Sequence, residues 1–231
     1  MSIKISACTI AKNEALNIGK SIESYKEYVD EIIIVDTGSI DETVEIAEKL
    51  GAKVLKFEWK NDFSAAKNYA IDNATGDWIL FLDADEIFEN RIVKDIKHML
   101  KNNEVDAYCF RLYDMWKPLY YRDDEYWYAH KHHRPFLIRY QPNFKYKFLK
   151  QNHHCGRMPK NVLRLNYINS DIRLKHLGWL DDEDKKNKYD RYKKLDKDGI
   201  YGNNAQYESI LDKNPNLVEF KEEEWELEIQ V

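Results

Sequence analysis

The stretch Ile-Leu-Phe-Leu-Asp-Ala-Asp-Glu, residues 79–86, places four apolar residues directly before a group of three carboxylates. The apolar half predicts a buried strand, and alternate residues on a strand point the same way. Asp83 and Asp85 can therefore converge on one hard divalent cation, Mg²⁺ or Mn²⁺, and leave open positions for phosphate oxygens. Without a cation, the two carboxylates would raise each other's pKa and reduce stability. The stretch thus predicts a strand that ends at a metal site.

This strand is the last of a regular alternation of strands and helices in the first hundred residues. The predicted strands are Ile3–Ile10, Glu31–Val35, Ala52–Phe57 and Trp78–Leu82. The predicted helices are Ala15–Tyr25, Asp41–Leu50 and Phe63–Ala74. Near-continuous apolar strands separated by helices are typical of a parallel sheet that helices cover on both faces. The predicted fold class is therefore α/β.

Loops with polar residues follow three of the predicted strands. They are Ala11, Lys12, Asn13 and Glu14 after the first strand, Asp36 to Ser39 after the second, and Asp83 to Glu86 after the fourth. Ligands of parallel α/β sheets bind at the carboxyl ends of the strands, so we expect a binding site where these loops gather. For each loop taken alone a helix cap is the alternative, above all for Ser39 and Asp41.

Four motifs follow one another in this part of the chain. They are Ile-Ala-Lys-Asn-Glu at 10–14, Ile-Val-Asp-Thr-Gly-Ser at 34–39, Asn-Asp-Phe-Ser-Ala-Ala-Lys-Asn at 61–68 and Leu-Asp-Ala-Asp-Glu at 82–86. With them the chain resembles the family 2 glycosyltransferases, nucleotide-sugar enzymes of the GT-A fold. The resemblance covers Ile3 to Met99, with a fainter similarity near His176. It implies a GT-A-like (Rossmann-like), mostly parallel sheet flanked by helices, with a mixed half on the acceptor side.

The resemblance also implies how the nucleoside of the donor is held. Asp36 would hydrogen-bond the uracil, and the loop from Ala11 to Glu14 would border the nucleoside. Asp62 and Lys67 would lie near the base and the phosphates. The residues alone leave two alternatives open, a turn residue for Asp36 and an exposed position on an amphipathic helix for Lys67.

For the diphosphate, the resemblance implies a metal ion. Asp83 would reach the ribose or the metal, and Asp85 would hold the Mn²⁺ or Mg²⁺ that bridges both phosphates of a UDP-sugar. Breaking the bond between sugar C1 and phosphate leaves a diphosphate whose negative charge must be neutralised. Asp85, through the metal, and Lys67 suit that task.

An acceptor hydroxyl also needs a base if the transfer inverts the sugar, as the resemblance implies. Many members of the family carry a His-Glu or Glu-Asp pair in the second half, whereas this chain has Asn-His-His-Cys-Gly-Arg at 152–157 without an adjacent acid. The candidate bases are His154 and His153, or Asp123, Asp124 and Glu125 from a loop.

His176 opens the motif His-Leu-Gly-Trp, which precedes a charged, helical stretch at 182–197. By similarity to some GT-A enzymes, His176 is a candidate third metal ligand that closes over the diphosphate. Lys188 and Arg191 on the following helix are candidate phosphate ligands. A histidine of the core or of the surface is the alternative.

A basic block extends from His130 to His176, where lysines and arginines accompany a lone acid, Asp171. Aromatic residues are dense just before it, from Trp116 to Tyr128. Aromatic faces stack on sugars and bases, and basic patches attract anions. We expect a groove for a polar or anionic acceptor, such as a phosphorylated glycan, a lipid-linked sugar, a protein or a nucleic acid. A solvated basic face and burial of the aromatic residues are the alternatives.

The bulk properties favour a single domain. The chain has 231 residues, of which 43% are hydrophobic and 33% charged, and a formal net charge of -5. This length suits one substantial core. We expect a nucleotide-sugar-binding half at 1–100, an acceptor-side half at 101–198 and a C-terminal extension with an acidic end at 199–231.

Sequence signals for export and cross-linking are weak. No stretch approaches the roughly 20 apolar residues of a membrane helix, and the N-terminal Met-Ser-Ile-Lys-Ile-Ser lacks the apolar core of a signal peptide. Cys8, Cys109 and Cys155 show no CxxC spacing, which disfavours a disulfide framework or a structural zinc site. We therefore expect a cytoplasmic protein.

Two other functional classes deserve comparison. A sugar-nucleotide nucleotidyltransferase needs a glycine-rich phosphate loop after its first strand, and the loop from Ala11 to Glu14 contains no glycine. A non-catalytic sugar- or nucleic-acid-binding module would keep the fold without a base. The leading hypothesis remains an inverting, metal-dependent glycosyltransferase.

Overall fold

The elements of the fold come from a computed structural model, which describes residues 2–89, 96, 98–144, 146, 157–159, 161–200 and 202–222. The strands are Ile5–Ala11 (β1), Glu31–Asp36 (β2), Lys53–Lys56 (β3), Trp78–Phe81 (β4), Glu86–Phe88 (β5), Ala107–Lys117 (β6), Tyr120–Arg122 (β7), His133–Arg139 (β8), Tyr167–His176 (β9) and Leu217–Glu219 (β10). The α-helices are Ile18–Tyr25 (α1), Thr43–Lys49 (α2), Phe63–Asp72 (α3), Asp182–Leu195 (α4) and Asn204–Ser209 (α5). Short 3-10 helices occur at Ala129–Lys131 and Val162–Arg164.

The strands form one mixed sheet in the order β10-β7-β6-β8-β4-β1-β2-β3. The pairs β3-β2, β2-β1 and β1-β4 are parallel. The pairs β4-β8, β8-β6, β6-β7 and β7-β10 are antiparallel. β9 lies off this path, parallel to β6 and antiparallel to β5. The predicted α/β class, with a parallel half flanked by helices and a mixed second half, is confirmed.

The parallel half is covered on both faces, as β2 shows. Ile34 belongs to the same core cluster as Ile22 of α1, whereas its neighbour Ile33 belongs to the cluster that contains Ala66 of α3. All four side chains are buried. Full burial of an Ile side chain contributes about 1.5–3 kcal/mol, and β-branched side chains suit a strand. Burial on both faces therefore explains why β2 is a continuous apolar run and not an alternating one.

The aromatic segment from Trp116 to Tyr128 divides by burial. Trp116 and Trp127 are buried, with ring centroids 4.7 Å apart, and both pack against Trp179. Tyr120 and Tyr128 are 41% and 46% exposed. Core packing therefore accounts for the two tryptophans. An acceptor groove stays a prediction for the tyrosines.

The segment after residue 198 is partly built into the sheet. β10 pairs with β7, and Phe220 is buried against Tyr113 and Met115. This part of the predicted C-terminal extension therefore closes one edge of the sheet, and the division of the chain at 198 stays a prediction. Cys8 and Cys109 are free and buried, while Cys155 lies outside the described residues. Through the described ranges, every helix is too short or too polar to cross a membrane.

Candidate functional site

The loops after β1 and β2 are fastened to each other at the carboxyl ends of the strands. The Asn13 N–H donates to Ser39 Oγ at 3.0 Å, and the Ile40 N–H donates to Asn13 Oδ1 at 2.9 Å. The Glu14 N–H donates to Thr43 Oγ1 at 2.7 Å. Asn13 has a left-handed backbone with φ of 56°, a conformation in which asparagine is enriched. The two loops thus form one shared rim.

Asp36 is the last residue of β2 and lies in register with Ala11 at the end of β1. Its buried carboxylate accepts hydrogen bonds from the N–H groups of Gly38 at 3.2 Å and Ser39 at 3.0 Å. Gly38 has φ of +102°, which favours glycine. Asp36 therefore shapes the turn, and its contact with uracil stays a prediction. Lys12, the residue after β1, is exposed.

Asp62 directly precedes α3, and Lys67 lies in the first half of that helix. Asp62 caps this helix, since its Oδ1 accepts from the N–H groups of Ser64 at 2.9 Å and Ala65 at 3.2 Å. Lys67 is only 7% exposed, and its Nζ donates to the carbonyl oxygen of Arg157 at 3.3 Å. The alternative of an exposed Lys67 is therefore wrong. The places of Asp62 and Lys67 near the base and phosphates stay predictions.

Asp83 and Glu86 share a guanidinium group from the second half of the chain. Arg157 Nη2 lies 3.2 Å from Asp83 Oδ2 and also pairs with Glu86 Oε1. The same guanidinium lies 4.3 Å from the centroid of the Phe136 ring. Glu86 is fully buried, and its Oε2 accepts from the Asp83 N–H at 2.9 Å. Glu86 and Arg157 thus fix the turn that carries Asp83.

Asp85 meets a different set of partners. Its Oδ2 lies 3.2 Å from His176 Nε2 and 3.5 Å from Lys188 Nζ. His176 reaches this position because β5 pairs with β9, which places Glu86 opposite His176. The other ring nitrogen of His176, Nδ1, lies 2.7 Å from Asp114 Oδ1. The structure therefore brings together three predicted residues, Asp85, His176 and Lys188.

The sequence predicted that Asp83 and Asp85 point the same way because they occupy alternate positions of one strand. This prediction is wrong. β4 ends at Phe81, so both carboxylates lie in the turn before β5 and not at alternate positions of one strand. Their repulsion is relieved by separate cationic partners, Arg157 for Asp83 and His176 for Asp85. Their shared binding of one metal ion stays a prediction.

Burial and charge shift the pKa values of this cluster in opposite directions. Burial raises the pKa of Asp85, but the neighbouring His176 and Lys188 outweigh it and hold that pKa well below its usual value. Burial lowers the pKa of His176, but Asp85 and Asp114 outweigh it and hold that pKa well above its usual value. Burial raises the pKa of Glu86 to about 7. The cluster therefore contains an ionised Asp85 beside an imidazolium in the metal-free protein.

Asp85 and His176 fit two ligands of one divalent cation. Ligand atoms about 2.1 Å from an ion lie roughly 3 Å apart, and these two lie 3.2 Å apart. A carboxylate on the other ring nitrogen, here Asp114, is typical of metal-binding histidines. Among the described residues, no three His, Cys, Asp or Glu side chains converge as a metal cluster. The remaining ligands would come from Asp83, which is about half exposed at 51%, and from a bound molecule.

Lys188 depends on a glycine for its place. Its Nζ donates to the carbonyl oxygen of Gly178 at 2.7 Å. A Cβ atom at position 178 would overlap both Lys188 Nζ and Asp85 Oδ2, so a side chain there would displace the cluster. Arg191, the other cation predicted on this helix, is exposed and lies over the Tyr192 ring at 5.3 Å. The structure therefore places Lys188 at the site and leaves Arg191 outside it.

The candidate bases are only partly described. His153 and His154 lie outside the described residues. Asp124 Oδ2 accepts from Arg122 Nε at 2.5 Å, and its Oδ1 accepts from the Tyr126 N–H at 3.0 Å. This carboxylate therefore holds a loop in place. All three residues stay predictions as bases.

Most described cations of the basic block are paired with acids of the same chain. The pairs are Lys131–Asp123, Arg139–Asp106, Arg157–Glu86, Arg173–Glu89 and Lys175–Glu222. Much of the positive charge that the sequence predicts for this region is thus balanced internally. Attraction of an anionic acceptor by the block as a whole stays a prediction.

Four residues of the site were not assigned a role from sequence. Asp114 had a usable signal, because it is a lone carboxylate inside the long apolar strand β6. Gly178 lies inside the His-Leu-Gly-Trp motif. Glu86 and Arg157 had no sequence signal for their contact, since 71 residues separate them.

Comparison with known proteins identifies the class. The sequence model described as Glycosyl transferase family 2 matches residues 6–173, a span that includes the four motifs and most of the sheet. The chain belongs to glycosyl transferase family 2. The predicted family and its GT-A-like fold are therefore confirmed.

Several curated proteins are similar to part of the chain. An uncharacterized glycosyltransferase of Rickettsia felis is 43% identical over 105 residues, which are 46% of this chain and 37% of that protein. A TPR repeat-containing protein of Synechococcus elongatus, Synpcc7942_0270, is 53% identical over 83 residues, 36% of this chain and 21% of that protein. The SPbeta prophage-derived glycosyltransferase SunS of Bacillus subtilis is 44% identical over 81 residues, 34% of this chain and 19% of that protein. The chain thus matches about a fifth to two fifths of the length of these relatives.

Similar solved structures include two that hold nucleotide sugars. The crystal structure of S. aureus TarS in complex with UDP-GlcNAc has a TM-score of 0.44 at 24% identity, covering 49% of this chain and 35% of that chain. Glucosyl-3-phosphoglycerate synthase from Mycobacterium tuberculosis, in complex with Mn²⁺ and UDP-glucose, has a TM-score of 0.40 at 23% identity, covering 49% and 44%. Each similarity concerns about half of this chain.

Proposed function

We propose that the chain is a metal-dependent glycosyltransferase that moves a sugar from a UDP-sugar to a hydroxyl group of an acceptor, with inversion at the anomeric carbon. The proposal is supported by family membership and by one observation. His176 Nε2 and Lys188 Nζ lie 3.2 and 3.5 Å from Asp85 Oδ2, at the end of the sheet where the loops after β1 and β2 lie. Two candidate metal ligands and a cationic group at this edge, where α/β sheets of this kind bind their ligands, support the proposal.

The nucleoside of the donor would lie on the shared rim of these loops. Asp36 is fixed by the N–H groups of Gly38 and Ser39, and the loop from Ala11 to Glu14 is fixed against it. A carboxylate offers about four lone-pair sites, so Asp36 retains capacity to accept a hydrogen bond from the uracil N3–H. A fixed acceptor at this point is compatible with uracil, the base that the resemblance to the family implies.

The diphosphate would lie between the rim and the Asp85 cluster. Asp85 and His176, with Asp83 in the same turn, would hold Mn²⁺ or Mg²⁺, which would supply Lewis-acid stabilisation of the leaving diphosphate. His176 loses its proton when it binds a metal ion. Lys188, whose Nζ donates to the carbonyl oxygen of Gly178, would add a positive charge beside the phosphates.

The transfer itself joins the acceptor oxygen to the anomeric carbon. The hydroxyl oxygen attacks C1 opposite the diphosphate, the C1–O bond to phosphate breaks, and its electron pair leaves with UDP. The hydroxyl proton passes to a base, for which His154, His153 and Asp124 are the proposed candidates. The acceptor is proposed as a glycan, a lipid-linked sugar, a protein or a nucleic acid.

The donor proposal can be tested without knowing the acceptor. A ligand that binds only the native state raises the unfolding midpoint by mass action. We expect UDP to raise the midpoint when Mn²⁺ is present and to do so much less in EDTA, while ADP, GDP and CDP give smaller shifts. A larger shift with another nucleotide would change the donor. Equal shifts with and without Mn²⁺ would contradict the metal-dependent mechanism.

A further inference from the structure

A cavity of about 280 Å³ opens beside Asp114. Its lining comes from β6, β8, α5 and the loop before the first 3-10 helix, and it includes Asp114, Glu125, Tyr126, Tyr128, Arg134 and Gln206. We call it the Arg134 cavity. Its volume is near the lower end of the range for small-molecule sites, about 300–1,000 Å³. Because Asp114 also contacts His176 Nδ1, the cavity adjoins the Asp85 cluster.

Arg134 stands out among the arginines of the mixed half. It is half-buried, yet its guanidinium forms no hydrogen bond and no ion pair with any other described residue. Arg122, by comparison, is 1% exposed and donates to Asp124, Asp212 and the carbonyl oxygen of Ser209. A desolvated charge is unfavourable unless a partner compensates it. Arg134 therefore lacks the carboxylate partners that the buried Arg122 has.

The surrounding charges do not supply that partner. Asp114 Oδ1 already contacts His176 Nδ1 at 2.7 Å and accepts from Trp179 Nε1 at 3.2 Å. Glu125 is exposed. Burial lowers the pKa of Arg134 and the charge of Arg157 lowers it further, which together outweigh the opposite effect of Asp114 and Glu86. Arg134 is thus the one cation among the described residues that line the cavity, and no carboxylate pairs with it directly.

We propose that the Arg134 cavity binds the anionic group of the acceptor, a phosphate or a carboxylate, and that Arg134 pairs with it. A guanidinium offers two parallel N–H donors that match the two oxygens of either group. Tyr126, Tyr128 and Gln206 add hydroxyl and amide groups for the hydroxyls of a sugar. This assignment rests on the proposed function, because only a transferase would need an acceptor next to Asp85. It narrows the acceptor to a molecule that carries a negative charge.

The donor diphosphate is the other possible source of a phosphate at Arg134. The test therefore uses protein that is saturated with UDP and Mn²⁺, so that the donor position is filled. Glucose 6-phosphate, glucuronate and uncharged glucose serve as probes in calorimetric titrations. We expect the two anionic sugars to bind the loaded protein at least tenfold more tightly than glucose.

Variants at position 134 connect this binding to the cavity. Arg134→Gln should weaken both anionic probes at least tenfold and leave UDP binding unchanged. The affinity of Arg134→Lys for the anionic probes should lie between those of the wild type and Arg134→Gln, because lysine keeps the charge and loses the paired donors. Arg164→Gln, at an exposed arginine of the second 3-10 helix, is the matched control and should bind like the wild type. Thermal unfolding of each variant checks that the fold is retained.

Three outcomes would overturn the proposal. In the first, Arg134→Gln binds the anionic probes as tightly as the wild type. In the second, the wild type binds the anionic probes no more tightly than glucose. In the third, the probes bind only when UDP is absent. The last outcome would place the anion in the diphosphate position. The proposed function has its own test, because it fails if UDP with Mn²⁺ does not bind. In that case, titration of the unloaded protein would still measure anion binding at Arg134.

Discussion

His176 Nε2 and Asp85 Oδ2 lie 3.2 Å apart, although 91 residues separate them in the chain. The contact exists because β5 and β9 pair side by side, so the histidine at the end of one strand faces the turn that begins the other. A pair built in this way is held by the backbone of two strands. It is therefore positioned before any ligand arrives, which is what electrostatic stabilisation of a leaving group requires.

Gly178 should be essential to the cluster. In Gly178→Ala, the added methyl group overlaps Lys188 Nζ and Asp85 Oδ2, so one of them must move. Both atoms are the ends of flexible side chains, so we expect the cluster and not the fold to rearrange. We expect Gly178→Ala to bind UDP with Mn²⁺ at least tenfold more weakly, measured by calorimetry.

Gly19→Ala is the control for this substitution. Its added methyl group would lie 3.3 Å from Ile46 Cγ2 of α2 and would not contact the Asp85 cluster. Alanine also has a higher helix propensity than glycine. Wild-type affinity in Gly178→Ala would show that the crowding does not matter for the donor site.

Asp114 should tune the metal affinity through His176. Its Oδ1 lies 2.7 Å from His176 Nδ1, and removal of such a partner typically weakens metal binding by about 10–100-fold. We expect this loss of Mn²⁺ affinity in Asp114→Asn, measured by titration in the presence of UDP. Asp171→Asn, whose side chain is 73% exposed, should keep the wild-type affinity. Unchanged affinity in Asp114→Asn would contradict this role of the Asp114 carboxylate.

Glu86 should give the metal-free protein a pH-dependent stability. Its pKa is raised from 4.5 to about 7 in the folded state, so the folded state favours the protonated form. The free energy of unfolding should therefore fall as pH rises from about 4.5 to about 7, by about 3 kcal/mol from this group. Glu86→Gln should remove this contribution, measured by urea unfolding in EDTA.

Glu58→Gln is the control, because its side chain is 86% exposed. It should show the same pH dependence as the wild type. An identical pH dependence in Glu86→Gln would mean that Arg157 keeps Glu86 ionised across this range. The ion pair would then outweigh burial at this position.

Much of the parallel half could be predicted from sequence. Apolar runs such as residues 32–35 mark strands that are covered on both faces, and helices of regular period separate them. The loops that end these strands therefore had to meet at one edge of the sheet. Asp36 and the loop from Ala11 to Glu14 are found there as expected.

The cation partners of the carboxylates could not be predicted. Arg157 and Glu86 are 71 residues apart, and β5 is a three-residue strand, too short to show a period of its own. The end of β4 at Phe81 was also missed, because Leu82 continues the apolar run while the backbone already leaves the sheet. The ion pair and the strand end both depend on how distant segments pair in the folded chain, and not on the local sequence pattern.

Asp85 is the central residue of the proposed metal site, and its effect on UDP binding is the most direct test of that site. The dissociation constant of UDP should be measured by calorimetry with Mn²⁺ and with EDTA, for wild type, Asp85→Asn and the exposed control Asp182→Asn, whose side chain is 97% exposed. We predict at least tenfold tighter binding with Mn²⁺ in the wild type and the control, and no effect of Mn²⁺ in Asp85→Asn. An Asp85→Asn protein that binds UDP as tightly as the wild type in Mn²⁺ would contradict the proposed metal site.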